Sequence, residues 1–356
     1  MPKVALIIVN YNHARFLRDL FSSLARVDYP RESLKIYFFD NASSDGSVTI
    51  AREFFAGFDL NSELIENRKN LGFAGGNNEC IRQAVAEGFE FAYLLNPDTE
   101  VEPDFLSKTL VVMDDPETAA VQSLILLADR TRVNSAGNAF HFLGFSYCLG
   151  YRDDVGSLAY QNLKDQTPEI VSASGAAVLF RLSALKEIGL FEELLFAYHE
   201  DVEISLRLRF AGWRLRLAPE SVVYHKYEFS RSIEKYFWME RNRYIVLIMH
   251  FRWRTLLLIS PMLKAVEIGM FLLALRSGWW REKLLVYGWF LNPQNFLAVM
   301  AARRRVKKTR ILPDRAITRT MSTDIAYQEV DNLLLRRLGN PMMRAYWRMI
   351  RSMIRW

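Results

Sequence analysis

Residues 91–98 read Phe91-Ala92-Tyr93-Leu94-Leu95-Asn96-Pro97-Asp98. Five apolar residues ended by an asparagine, a proline and an acid read as a buried strand that stops at a polar turn. The arrangement recurs upstream. Val4–Val9 leads into Asn10-Tyr11-Asn12 and a helical stretch near Arg15–Arg26. Ile36–Phe39 leads into Asp40, with a helix starting near Gly46, and Leu64-Ile65 leads into the glycine-rich Asn70–Asn78. Strands separated by single helices imply βαβ units, hence an α/β fold with a mainly parallel central sheet. The polar residues follow strand ends. In open α/β sheets ligands bind outside those carboxyl ends, so the pattern predicts a ligand site there.

Several residues carry candidate chemistry. The stretch Asn70 to Asn78 has Gly72, Gly75 and Gly76, which suit close backbone approach to a ligand or a plain turn. It matches neither the dinucleotide fingerprint nor a P-loop. Asp98 could hold Mg²⁺ or Mn²⁺ from a strand end, or simply cap its own turn. His199-Glu200-Asp201-Val202-Glu203 opens a helical stretch running to Phe210. Acids in a first turn suit the helix dipole, but these follow the aromatic stretch Leu194–Tyr198, where a carboxylate could be held in a cleft as a general base. His225 ends the expected strand Ser221–Tyr224, and reads as a metal ligand or a structural hydrogen-bonding residue. Residues 129–168 read as a loop-rich insertion or a short β extension.

The 356 residues are 51% hydrophobic and 24% charged, which excludes a disordered tail or a collagen-like chain and leaves room for about two domains. Two cysteines, Cys80 and Cys148, support neither a disulfide framework nor a cysteine zinc site, so a reducing compartment is expected. The apolar run Val4–Val9 is too short for a signal-peptide core and reads as a first strand.

The net charge of +6 conceals a division near residue 230. Residues 1–230 hold 22 basic and 32 acidic side chains, and residues 231–356 hold 24 and 8, so the two parts carry −10 and +16. A basic second part suggests an anionic surface, either nucleic acid or the cytoplasmic face of a membrane. Residues 255–275 approach spanning length. Lys264, Glu267 and Pro261 lie within the run, and a charge at the bilayer centre costs about 2.5–3.5 kcal/mol. A shallow or re-entrant helix, or a packed hairpin, is therefore expected. Trp279, Trp280, Tyr287 and Trp289 suit an interface. Arg303, Arg304, Arg305, Lys307, Lys308 and Arg310 form a cluster suited to anionic headgroups. After Asn340-Pro341, read as a cap and an N1 proline, Arg344, Arg348, Arg351 and Arg355 recur at helical spacing beside Met343, Trp347, Ile350 and Ile354. That reads as a helix in a membrane interface, or one packed on its own protein with a solvated arginine face. Arginines interleaved with Met, Ile and Trp suit lipid better than nucleic acid, so no nucleic-acid partner is expected.

Taken in order, the motifs resemble the inverting glycosyltransferases of family 2, of rhamnosyltransferase-like or hexosyltransferase type, over roughly residues 3–245. The pieces are Val9-Asn10-Tyr11-Asn12, Asp40 to Gly46, Asn70 to Asn78, Leu94 to Asp98, Ser174 to Arg181, Ile188 to Glu193, and Tyr198-His199-Glu200-Asp201 with Gly212. The resemblance implies a GT-A (Rossmann-like) domain, bounded at 1–230 by the charge division, while the charge and apolar pattern make 231–356 a basic, apolar helical region expected to associate with a membrane. It implies a UDP-, dTDP- or GDP-linked sugar donor and a divalent metal, Mn²⁺ or Mg²⁺. Val9, Tyr11 and Asp40 would hold the base and ribose. Asn70, Gly75, Asn78 and Asn96 would line the donor site. Asp98 would bind the metal, with His225 completing the site. Asp201 would be the catalytic base, supported by Glu200. Asn96 replaces the usual first aspartate of the family's metal motif, and Lys226-Tyr227-Glu228 replaces the small residues that often follow the histidine. The expected activity is metal-assisted single displacement onto a glycan or polyprenyl-linked acceptor of a cell-surface polysaccharide, at the cytoplasmic side of the membrane, peripherally or shallowly inserted. A sugar nucleotidyltransferase and a membrane scaffold with a silent transferase domain are the competing readings.

Overall fold

The expected alternation builds one curled sheet in the computed structural model, which describes residues 1–57, 61–163, 166–227, 233–326 and 333–356. The strands are β1 (Val4–Asn10), β2 (Leu34–Asp40), β3 (Ser62–Glu66), β4 (Phe91–Leu95), β5 (Thr99–Val101), β6 (Thr118–Leu127), β7 (Val133–Ser135), β8 (Asn138–Phe140), β9 (Ser146–Cys148), β10 (Ala177–Arg181) and β11 (Arg214–His225). The main sheet runs β3-β2-β1-β4-β10-β6-β11-β5, with β7 on β6 and a separate β8-β9 hairpin. β3, β2, β1 and β4 are parallel, as are β6 and β11, while β10 and β5 run against their neighbours. The β1–β2 register pairs Asn10 with Asp40, so both polar residues emerge side by side at the carboxyl edge.

The helices of the first part are α1 (Ala14–Leu24), α2 (Ser47–Gly57), α3 (Gly72–Ala86), α4 (Phe105–Met113), α5 (Leu158–Gln161), α6 (Leu182–Ile188) and α7 (Glu200–Phe210). Strand side chains alternate between faces, and β1 shows it. Val4, Leu6 and Ile8 pack with Leu17, Leu20 and Phe21 of α1 and Phe105 of α4. Ala5 and Ile7 pack with Ala74, Ile81 and Ala84 of α3 and Ile204 and Leu208 of α7. Covering both faces is what a largely parallel sheet requires. Residues 129–168 prove to be the short strands β7 to β9 and α5. The strand expected at Ser221–Tyr224 is the end of the longer β11, whose pairing with β6 shifts between Ala218 and Val222.

The remaining helices are α8 (Ile233–His250), α9 (Trp253–Ser277), α10 (Trp280–Leu291), α11 (Pro293–Thr309), α12 (Asp314–Thr318) and α13 (Asn340–Arg351). They close on α7: Val202, Leu206 and Phe210 share a core with Ile245 and Met249 of α8, Val299 of α11 and Trp347 of α13. Buried ion pairs tie them together. Glu240 meets Arg243 at 2.6 Å and Lys283 at 2.7 Å, and Glu267 meets Lys283, Tyr244 and Tyr287.

Four expectations for this region are corrected. The stripe Met343, Trp347, Ile350 and Ile354 is buried in the protein core, so it is not a lipid-facing stripe. Period alone does not say what covers an apolar face. Asn340 does not cap α13. Its amide pairs instead with the backbone of Ile325, at 3.0 Å and 3.3 Å. The basic cluster is partly absorbed: Arg303 donates to Phe251 O at 2.6 Å, Arg305 pairs with Glu192, and Arg310 pairs with Asp314. Residues 255–275 do not form the packed hairpin that was one expectation. α9 is one continuous helix, long and apolar enough to cross a membrane by length and composition, with Leu257, Ile268 and Leu272 exposed.

Candidate active site

The carboxyl ends of β1 and β2 form one wall. Asn10 Nδ2 donates to Asp40 Oδ1 at 2.9 Å, and the Ser43 N–H donates to Asp40 Oδ2 at 2.9 Å. Asp40 is thus buried and shapes the turn after β2. Tyr11 stands at the mouth, 46% exposed, free to stack on a planar ring. Val9 packs against Gly76, where a Cβ would lie 2.8 Å from Val9 Cγ1.

The glycine-rich stretch is the start of α3. Gly72 has φ +72°, and a Cβ there would sit 2.4 Å from Phe196 O. The Ala74 N–H donates to that same carbonyl at 3.1 Å. Asn70 Oδ1 accepts from the Gly72 N–H at 2.8 Å, and Asn41 clamps Leu71 and Gly72 by both ends of its amide. Gly75 is demanded by Leu71, whose Cβ a substituent would meet at 2.7 Å. Asn78 departs from expectation. Its amide holds both backbone groups of Phe191, each at 2.9 Å, and Glu193 at 2.8 Å, so it braces the fold rather than lining the cleft.

The turn after β4 meets the end of β11. His225 Nε2 lies 3.2 Å from Asp98 Oδ1, and His225 Nδ1 lies 3.0 Å from Asn134 Oδ1. A proton on Nδ1, shared with Asn134, leaves the Nε2 lone pair facing a carboxylate. That contact is favourable only with a proton or a cation between them. Their separation suits adjacent ligands of an octahedral cation, about 3 Å apart for bonds of about 2.1 Å. The residues therefore fit a divalent metal. Burial would raise the Asp98 carboxyl, but His225 and then His13 outweigh it and hold the group below the usual range. His13 has a buried Nδ1 with no partner among the described residues. Neither it nor Asn134 was singled out from sequence. His13 follows Tyr11-Asn12 directly, which was a usable signal, whereas nothing local marks Asn134. Asn96 hands its N–H to Ala176 O at 2.9 Å. Glu228 lies outside the described residues.

Glu200 and Asp201 open α7. Asp201 accepts from the Gly175 N–H at 3.2 Å and the Val202 N–H at 2.7 Å. Burial raises its carboxyl above the ordinary aspartate value, against those two N–H bonds. Glu200 is buried, its Oε2 has no partner among the described residues, and burial plus the Asp201 charge raise it further. Both carboxyls are therefore held above their ordinary range, Glu200 further than Asp201. Three bulky residues just before it, Phe196, Tyr198 and His199, have φ of 63°, 67° and 68°. Such conformations cost about 1–3 kcal/mol each and persist only when the surroundings impose them.

Here α8 does so. Asn242 Nδ2 faces the carbonyls of Leu195, Ala197 and Tyr198 at 2.8, 2.9 and 2.6 Å. Arg241 donates to Leu194 O at 2.8 Å and steadies the Asn242 amide at 2.7 Å, with Trp238 and Trp289 flanking its guanidinium. Neither residue carries a local signal in the sequence, because both lie more than 40 positions from the loop they hold.

This sheet, with its site at the carboxyl edge, is that of the GT-A glycosyltransferases. The model of the family described as "Glycosyltransferase like family 2" matches residues 2–245, and the chain belongs to that family. It is 26% identical over 240 residues to the N-acetylglucosaminyl-diphospho-decaprenol L-rhamnosyltransferase of Mycobacterium tuberculosis, covering 63% of this chain and 75% of that one. It is 23% identical over 224 residues to the poly-beta-1,6-N-acetyl-D-glucosamine synthase of Staphylococcus epidermidis, covering 62% of this chain but only 49% of that protein, so it spans about half the length of that relative. The crystal structure of GalNAc-T7 with UDP, GalNAc and Mn²⁺ superposes with a TM-score of 0.59 at 15% identity, covering 74% of this chain and 51% of that one, a likeness of fold.

Proposed function

We propose that the protein transfers a sugar, with inversion, from a nucleotide-diphosphate donor to a hydroxyl of a lipid-linked cell-surface glycan precursor. One observation carries the reading. The turn Ser174-Gly175-Ala176 touches both halves of the site: Ala176 O holds Asn96 in the Asp98 turn, and the Gly175 N–H holds Asp201. A metal-binding carboxylate and a raised-pKa base on two sides of one short turn are what a single displacement at an anomeric carbon requires. Asp201 takes the acceptor proton, with Glu200 as its neutral neighbour. Val9, Tyr11 and Asp40 hold the base and ribose, and Asn70, Gly75 and Asn96 shape the donor wall. Asp98 and His225 would hold a divalent cation, which would supply Lewis-acid neutralisation of the leaving diphosphate.

A mycobacterial relative named for a decaprenol-linked substrate and the exposed α9 support a lipid-linked acceptor. In this reading residues 1–230 bind the donor, and residues 231–356 seat the protein on the cytoplasmic face of the membrane. Thermal unfolding with UDP, dTDP and GDP, each with and without Mn²⁺, tests the donor half. Nucleotide at 100 times Kd stabilises by about 2.7 kcal/mol. One nucleotide should raise Tm in a metal-dependent way, and Asp98→Ala should remove the metal dependence. No shift with any nucleotide would overturn the reading.

A further inference from the structure

The arginine side of α13 does not face open solvent alone. It meets α12 around a cavity of about 500 Å³. Arg315 and Arg319 line it from one side, and Arg351, the last residue of α13, and Arg355, in the segment that follows, line it from the other. Thr318 and Ser352 line opposite sides as well, their hydroxyls donating to Arg315 O at 3.3 Å and Met349 O at 2.8 Å. None of the four guanidiniums has a carboxylate or other side-chain partner among the described residues. The acids near them in sequence are already engaged. Asp314 is fully buried and holds Arg310, Thr255 and the Arg252 N–H. Asp324 pairs with Arg344, also on α13, at 2.6 Å. Four like charges left around one hollow point to an absent polyanion, because guanidinium forks match phosphate oxygens in pairs.

Position in the fold narrows the source of that phosphate. The cavity lies at the N-terminal end of the exposed apolar helix α9. Trp356 accepts from the Arg315 N–H at 3.0 Å and donates its indole N–H to Thr255 Oγ1 at 2.9 Å, in the first turn of α9. The Tyr346 hydroxyl donates to Leu258 O at 2.6 Å in the next turn. A second basic hollow, lined by Arg252, Trp253, Arg254 and Lys307, sits at the same end. Basic residues and a tryptophan at one end of an apolar helix mark the headgroup level of an anionic leaflet.

We propose that Arg315, Arg319, Arg351 and Arg355 form a binding site for the phosphate of a membrane lipid headgroup, selective for a phosphomonoester or diphosphate over a phosphodiester. A diester carries one negative charge and presents two free oxygens. A monoester carries nearly two charges and presents three free oxygens, enough to engage arginines from both sides of the cavity. The proposal rests on the membrane-surface reading above and adds to it a defined headgroup site.

Vesicle co-sedimentation of the full chain tests it. The vesicles are phosphatidylcholine alone, or phosphatidylcholine with phosphatidic acid or phosphatidylglycerol at matched surface charge. The wild type should prefer phosphatidic acid over phosphatidylglycerol by about tenfold, the weight of one charge-assisted pair. Arg315→Gln with Arg319→Gln, and separately Arg351→Gln with Arg355→Gln, should abolish the preference while retaining phosphatidylglycerol binding and Tm. The control, Arg304→Gln with Lys308→Gln, removes the same charge from exposed positions outside the cavity. It should weaken both lipids equally and keep the preference. Equal binding of both anionic lipids by the wild type, or loss of preference in the control, would overturn the site and leave the membrane reading standing. No binding to any vesicle would overturn both. Inorganic pyrophosphate raising Tm through the same arginines, without any lipid preference, would overturn the lipid assignment in favour of a soluble anion.

Discussion

The first turn of α7 and the interface between α8 and α10 treat buried carboxylates in opposite ways. Among the described residues no cation is supplied to Glu200 and Asp201: one Glu200 oxygen is unpartnered, the Asp201 carboxylate has only backbone N–H donors, and burial raises both pKa values. At Glu240 burial acts in the same direction, but Arg243 and Lys283 outweigh it and bring the carboxyl down to about 2. Glu203 shows that this is a matter of position. It lies within one turn of Asp201, equally buried, yet Arg207 and His250 outweigh burial and lower it to about 2. Where partners are supplied the charge is structural. Where they are withheld beside a strained loop, the carboxyls stay raised, which is what the proposed role of Asp201 as base calls for.

The contrast is broken most directly at Asp201. Asp201→Asn should lower turnover by about 10²–10⁴, the usual weight of a general base, with the nucleotide-induced Tm shift retained. In the wild type the rate should climb as pH rises through a pKa above the ordinary aspartate value of about 3.9, because the base acts only when ionised. An unchanged rate in the variant would make Asp201 another structural acid.

Next is Glu240→Gln, which leaves Arg243 and Lys283 buried without their shared partner. Denaturant unfolding should show a loss of about 3–5 kcal/mol. The depressed carboxyl stabilises the fold above its ordinary pKa of 4.5, so the advantage over the variant should fade as pH falls from 4.5 towards 2. A loss under 1 kcal/mol would mean that the network is solvated.

Asn242→Ala joins the two regions and should have the smallest effect. Unfolding should cost about 1–3 kcal/mol for the carbonyls left bare. Steady-state kinetics at saturating donor should show kcat reduced about tenfold, equivalent to 1.4 kcal/mol at the barrier, because the loop delivering Asp201 relaxes. A lowered Tm with unchanged kcat would reduce Asn242 to a structural brace.

Much of this site was legible in one dimension. Asp40, Asp98 and Asp201 each follow a strand or open a helix, and βαβ alternation brings strand carboxyl ends to one edge. Asn78 looked identical in kind to Asn70, yet its amide turned inward to Phe191, because a helical residue's role depends on which side faces the core. The pairing of His225 with Asn134 crosses 91 positions and has no local trace.

The alternating strands and helices, the polar residues at strand ends, the family and the division of charge can all be read along the chain, since each depends on residue type and short-range spacing. Only the tertiary structure decided the fate of the basic residues: Arg303 and Arg310 inside, Arg344 paired, and four arginines left around one cavity. It also decided that α8 holds the strained loop in front of Asp201. Both outcomes depend on which distant group supplies a partner, and spacing along the chain does not contain that information.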